Sequence, residues 1–157
     1  MNKLIKTTGF IATVFILVGC SGGSSSTGVN ASTPYAGQYD GTVVIRMQGY
    51  GEMASQAMPM RVVVGVDGRI TAGVPNISTA GTCNFPQKDA FLKGNSISGS
   101  ATVICSIPGV GTCTVSGAET ISFSNQAASF AGRYSYKCPG GQINAVGSGY
   151  LKKTALD

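Results

Sequence analysis

Tyr39, Gly41, Val43, Ile45 and Met47 alternate with Asp40, Thr42, Val44, Arg46 and Gln48, apolar or small on one side and mostly polar on the other. Successive side chains of a strand point to opposite faces, so this period of two describes a half-buried strand and excludes an amphipathic helix. The pattern returns at Met60, Val62, Val64 and Val66. It returns again where Ile97, Gly99, Ala101, Val103 and Cys105 alternate with Ser96, Ser98, Ser100, Thr102 and Ile104. One further strand is predicted where Cys113 to Gly117 and Thr120 to Phe123 continue each other, a next through Phe130, Tyr134 and Tyr136, and a last up to about Leu151. Turn residues separate these runs: Asp67-Gly68, Pro108-Gly109, Asn125-Gln126 and Pro139-Gly140-Gly141. Asp-Gly predicts a two-residue type I′ turn, in which both central residues take positive φ. Pro75 and Pro86 restrict the region between Val74 and Phe91 to a short or edge strand at Thr82 to Phe85 and another near Ala90.

Composition agrees with an all-β reading. The chain has 23 Gly, no Trp, no His and only 11% charged residues, with Val, Ile, Thr, Tyr and Ser spread throughout. About eight antiparallel strands in sequence, joined by short turns, predict an up-and-down barrel or a flattened sandwich. The outward positions are Asp, Thr, Ser, Arg and Gln, and the chain ends in Leu-Asp, so an integral outer-membrane barrel with a lipid-facing apolar band is not expected. Small inward residues (Gly41, Gly99, Ala101, Gly132) imply either tight closure or room for a ligand.

The amino-terminal stretch has a different logic. Lys3 and Lys6 precede an apolar run from Phe10 to Val18, too short to cross a hydrocarbon core of about 30 Å as a helix. This reads as a signal peptide. Its end, Leu17-Val18-Gly19-Cys20 before Ser21, resembles the lipobox of bacterial lipoproteins. The resemblance implies cleavage between Gly19 and Cys20, a thioether-linked diacylglyceryl group on Cys20, and an N-acyl chain on the new amine. No other cofactor is implied. Two or three acyl chains give lasting membrane attachment where one is marginal. Ser21 in place of Asp implies, by the same resemblance, the outer membrane of a Gram-negative envelope.

The predicted organisation is therefore a signal peptide at 1–19, a lipidated flexible tether at 20–33 and a β domain at 34–157. A Gly/Ser-rich linker of that length spans on the order of 20 Å. Loss of Lys3 and Lys6 lowers the formal net charge from +5 to +3, too weak and scattered to favour nucleic acid.

With Cys20 lipidated, Cys83, Cys105, Cys113 and Cys138 remain, an even number suited to an oxidising periplasm. No C-x-x-C spacing and no histidine accompany them, so a metal site is not predicted. Cys83 and Cys105 are equidistant from Gly94, Cys105 and Cys113 from Gly109, and Cys113 and Cys138 from the Asn125-Gln126 step. With hairpins centred there, all four cysteines share one level across four neighbouring strands. Adjacent strands lie about 4.8 Å apart, and a disulfide needs its Cα atoms roughly 4.4–6.8 Å apart. A bond that skips a strand is too long, and joining Cys105 to Cys113 strands the outer two. The predicted pairs are Cys83–Cys105 and Cys113–Cys138.

No histidine is available as a general base. The acids Asp40, Glu52, Asp67, Asp89 and Glu119 are dispersed and read as solvated or turn-capping groups, so an envelope enzyme ranks third. Met47, Met53, Met58 and Met60 flank a loop of Gly49-Tyr50-Gly51-Glu52, and thioethers suit Cu(I). A periplasmic soft-metal carrier is accordingly the second reading, with Met53 and Met58 as ligands. The first is a non-catalytic binding or structural module that meets an envelope protein or small ligand through Tyr50, Glu52, Met53 and Met58.

Overall fold

The computed structural model describes residues 33–49, 52–73, 82–83, 90–107 and 109–154. Nine strands follow one another: β1 (Gly37–Gly49), β2 (Glu52–Val64), β3 (Arg69–Gly73), β4 (Thr82–Cys83), β5 (Ala90–Phe91), β6 (Ser96–Ile107), β7 (Gly111–Phe123), β8 (Ala127–Cys138) and β9 (Gly141–Thr154). They form one sheet in the order β4-β6-β7-β8-β9-β1-β2-β3-β5, and every pairing is antiparallel. The sheet curls into a nearly closed barrel. Its seam lies between β5 and β6, where Lys93 and Ser96 make a single antiparallel bridge.

The period of two dictates the interior. Tyr39, Val43, Ile45 and Met47 of β1 are buried, as are Met58, Met60, Val62 and Val64 of β2 and Ile97, Val103 and Cys105 of β6. They join Val115, Ile121, Phe123, Phe130, Tyr134, Tyr136 and Leu151 in one core cluster. At the end where β1 begins, the Tyr39 ring packs edge-on against Phe123 with centroids 5.1 Å apart. Outside, Asp40 takes a 2.7 Å bond from Arg61. Burial alone would raise the Asp40 pKa, but hydrogen bonds from Arg61, Gln38 and Thr154 outweigh it and hold the carboxyl below its ordinary value.

Three sequence expectations need correction. Val66 is 70% exposed and not inward, because the β2–β3 turn begins a residue earlier than Asp-Gly alone implies. Gly68 N–H donates to the Gly65 carbonyl at 2.9 Å and Gly65 N–H to the Arg69 carbonyl at 2.8 Å, giving a three-residue loop of Val66, Asp67 and Gly68. Gly68 takes the left-handed φ of 80° that such a loop demands, and Asp67 Oδ1 accepts from Arg69 N–H at 2.9 Å. Second, β4 and β6 pair without a hairpin centred at Gly94, because Ala90 and Phe91, which lie between them in the chain, pair with β3. Third, the β1–β2 connection is no long loop: Gly49 and Glu52 are ladder partners, with only Tyr50 and Gly51 between them.

The short strands occur where the prolines leave room for them. Ala90, however, pairs with Ile70 of β3, which extends the opposite edge of the sheet from β4. The cysteine rung forms: Cys83 is the ladder partner of Cys105, and Cys105 that of Cys113, the latter about the expected centre at Gly109. Cys113 is bonded to Cys138 with a Cα separation of 4.3 Å, and Cys105 is itself disulfide-bonded.

The small inward residues serve tight closure. A Cβ on Gly41 would run into the Tyr150 carbonyl oxygen and approach Leu151 Cα to 2.8 Å, both backbone atoms of β9. Gly149 is tight in the reverse sense, 2.7 Å from the Thr42 carbonyl oxygen. A Gly41→Val variant is therefore expected to lose about 3 kcal/mol, at the upper end of overpacking effects because backbone cannot swing aside. The loss is measured from the urea midpoint. A change within about 0.5 kcal/mol would show that β1 and β9 have more slack than these distances allow.

Candidate functional site

Glu119 is the buried charged side chain among the described residues, 3% exposed. It shares the inward parity of Val115, Ile121 and Phe123 on the unbroken β7. Its ladder partner on β8 is Gly132, and Tyr134 lies opposite Gly117. With no side chain at Gly132, the Tyr134 ring folds back across that position; a Cβ there would sit 2.5 Å from the phenol oxygen. Tyr134 Oη thereby donates to Glu119 Oε1 at 2.5 Å. Burial first, and then the Glu119 carboxylate, pushes the Tyr134 and Tyr136 phenols well above their ordinary pKa of 10.0.

Glu119 is not the solvated or turn-capping acid expected from the sequence. Its pairing fixes β7 against β8 inside the core, where solvent has little access to the carboxylate. Removing the donor with Tyr134→Phe is expected to cost about 2 kcal/mol, since an acceptor in the core loses a charge-assisted bond. Chemical denaturation of Tyr134→Phe, Glu119→Leu and the double variant measures this coupling; strictly additive effects would contradict it.

The outer wall offers a different kind of surface. An open groove of about 470 Å³ runs over β6, β7 and β8, lined by Ser100, Thr102, Ser116, Ala118, Arg133 and Ser135 among others. Thr102 and Ser116 hydroxyls are 2.9 Å apart, and the Ser98 and Thr120 hydroxyls are also 2.9 Å apart. Short hydroxyl side chains keep this face low, and the exposed Arg133 supplies its cation. Hydroxyl donors and acceptors beside a guanidinium suit a polar or anionic group. The signal was present in the outward Ser and Thr of residues 96–102 and 112–122, but it had been read only as strand polarity.

Of the residues expected to bind, Met58 is the one whose side chain is described. Met58 is 3% exposed in the core, opposite Val43, so the thioether assigned to a loop is core filling, as are Met47 and Met60. Glu52 and Met53 open β2 opposite Gly49 and Gln48. Tyr50, like Cys20, lies outside the described residues. Among the described residues no three His, Cys, Asp or Glu side chains gather as metal ligands.

Fold and surface together define a class, a disulfide-stapled antiparallel β-barrel with an apolar core and a hydroxyl-rich outer wall. The chain matches no family model, no curated protein and no solved structure.

Proposed function

We propose that this chain is an outer-membrane lipoprotein, held by acyl chains on Cys20, whose barrel is a non-catalytic binding module of the cell envelope. The observation that carries the reading is the run Leu17-Val18-Gly19-Cys20, followed by Gly/Ser-rich residues that lead to the barrel at Thr33. The groove over β6, β7 and β8 beside Arg133 is the surface assigned to that binding. Its partner is an envelope protein or small ligand with polar or anionic groups.

The test is cross-linking and fractionation in intact cells expressing wild type, Cys20→Ser and Arg133→Glu. Cys20→Ser should accumulate unprocessed or leave the envelope fraction. Arg133→Glu should stay in the envelope but lose the cross-linked adduct. Normal processing and envelope retention of Cys20→Ser would refute the anchor, and an unchanged adduct in Arg133→Glu would refute the groove.

A further inference from the structure

We infer that the barrel end where the tether enters is a membrane-contacting face that takes the anionic headgroups of the bilayer holding Cys20. This rests on the lipid-anchor reading and goes beyond it, because an anchor alone leaves the barrel free to tumble.

The geometry begins at Thr33, whose N–H donates to the Val66 carbonyl at 3.2 Å, so the chain arriving from Cys20 meets the β2–β3 turn. Val66 there is 70% exposed. Phe91, 49% exposed, belongs to the same corner, because it is the ladder partner of Arg69 and the next residue, Leu92, donates its N–H to the Gly68 carbonyl at 2.9 Å. Large exposed apolar residues scattered singly need no explanation, but two together where a lipid-bearing tether enters do.

Cations surround the same end. Arg69 opens β3, Lys93 follows β5, and Lys152 and Lys153 close β9. The described carboxylates at this end are fewer: Asp40, paired with Arg61, and the exposed Asp67, whose Oδ1 accepts from the backbone N–H of Arg69. Among the described residues of the opposite end, the β8–β9 turn presents the exposed and uncharged Pro139, Gly140, Gly141 and Gln142 beside Lys137.

Apolar side chains ringed by Lys and Arg match the interfacial zone of a bilayer bearing negative headgroups. A flexible linker of twelve residues spans on the order of 20 Å r.m.s., so an acyl anchor at Cys20 would hold this face at an effective concentration on the order of millimolar at the surface. A patch too weak to bind membranes from solution is therefore sufficient to orient the barrel.

The experiment uses the full lipidated protein, in phosphatidylethanolamine–phosphatidylglycerol vesicles and in detergent micelles. Amine acylation is followed by peptide mass at Lys93 and Lys152, with Lys137 as the internal control. A lysine docked for more than half of the time reacts at least about twofold more slowly. Lys93 and Lys152 should show that slowing in vesicles while Lys137 does not. A Val66→Asp/Phe91→Asp variant, altered only at exposed positions, should return Lys93 to its micelle rate while still floating with the vesicles. Equal behaviour of the three lysines, or protection that survives the double substitution, overturns the docking face alone. Failure of the wild-type protein to float overturns the anchor and the docking face with it.

Discussion

Alkaline titration is expected to unfold the protein and ionise its buried tyrosines in a single step above pH 10. Tyr134 and Tyr136 are each 4% exposed, and burial followed by the Glu119 carboxylate raises both pKa values from 10.0. Burial, then Tyr35, shifts Tyr39 in the same direction. An unfolded tyrosine releases its proton near pH 10, whereas these folded ones hold theirs. Their contribution is therefore complete below pH 10 and is lost as pH rises toward the folded values. Each group removes about 1.4 kcal/mol per pH unit, so Tyr134 and Tyr136 alone remove about 3 kcal/mol by pH 11. That is a large fraction of a typical domain stability of about 5–15 kcal/mol. With no Trp in the chain, tyrosinate absorbance is unobscured. A major part of it should appear together with the loss of strand circular dichroism. Complete ionisation near pH 10 with the strand signal intact would contradict the buried positions.

The second large effect concerns the Cys113–Cys138 bond, which spans 25 residues of sequence. Its removal in Cys113→Ala/Cys138→Ala is expected to cost about 3 kcal/mol, from chain entropy returned to the unfolded state. The core loses volume as well, because Cys113 is fully buried. Both cysteines must be replaced. A lone thiol at Cys113 would sit opposite the disulfide-bonded Cys105, where exchange could redistribute the bonds and blur the measurement. Urea unfolding of the oxidised variant gives the number. A loss below about 0.5 kcal/mol would mean the unfolded chain is already constrained without the bond.

The cysteine level was legible in the sequence for a simple reason. Equal spacing around Gly109 and the Asn125-Gln126 step fixes the β6–β7 and β7–β8 registers without knowledge of where any strand begins or ends. Inward and outward sides were legible too wherever alternation ran long, as from Tyr39 to Met47 and from Ile97 to Cys105. Short strands were not. Ala90–Phe91 is too brief to show a period, so its pairing with β3 is decided by barrel closure and not by local pattern.

Glu119 was misread because carboxylates are seldom buried. Its correct placement needed three facts at once: an unbroken β7, Gly132 across the ladder, and Tyr134 two residues beyond that glycine. Met58 was lost to a different error. A loop of Gly49-Tyr50-Gly51-Glu52 leaves the start of β2 undefined, whereas β2 runs from Glu52 and places Met58 on its inward face. The hydroxyl-rich outer wall was visible residue by residue, but its joining into one groove depends on which strands are neighbours.

The anchor at Cys20 is tested most directly by the mass of the mature amino-terminal peptide from purified envelopes. The account predicts a peptide that begins at Cys20 and carries a diacylglyceryl thioether and an N-acyl chain. An amino terminus at any other residue, or an unmodified Cys20, would contradict it.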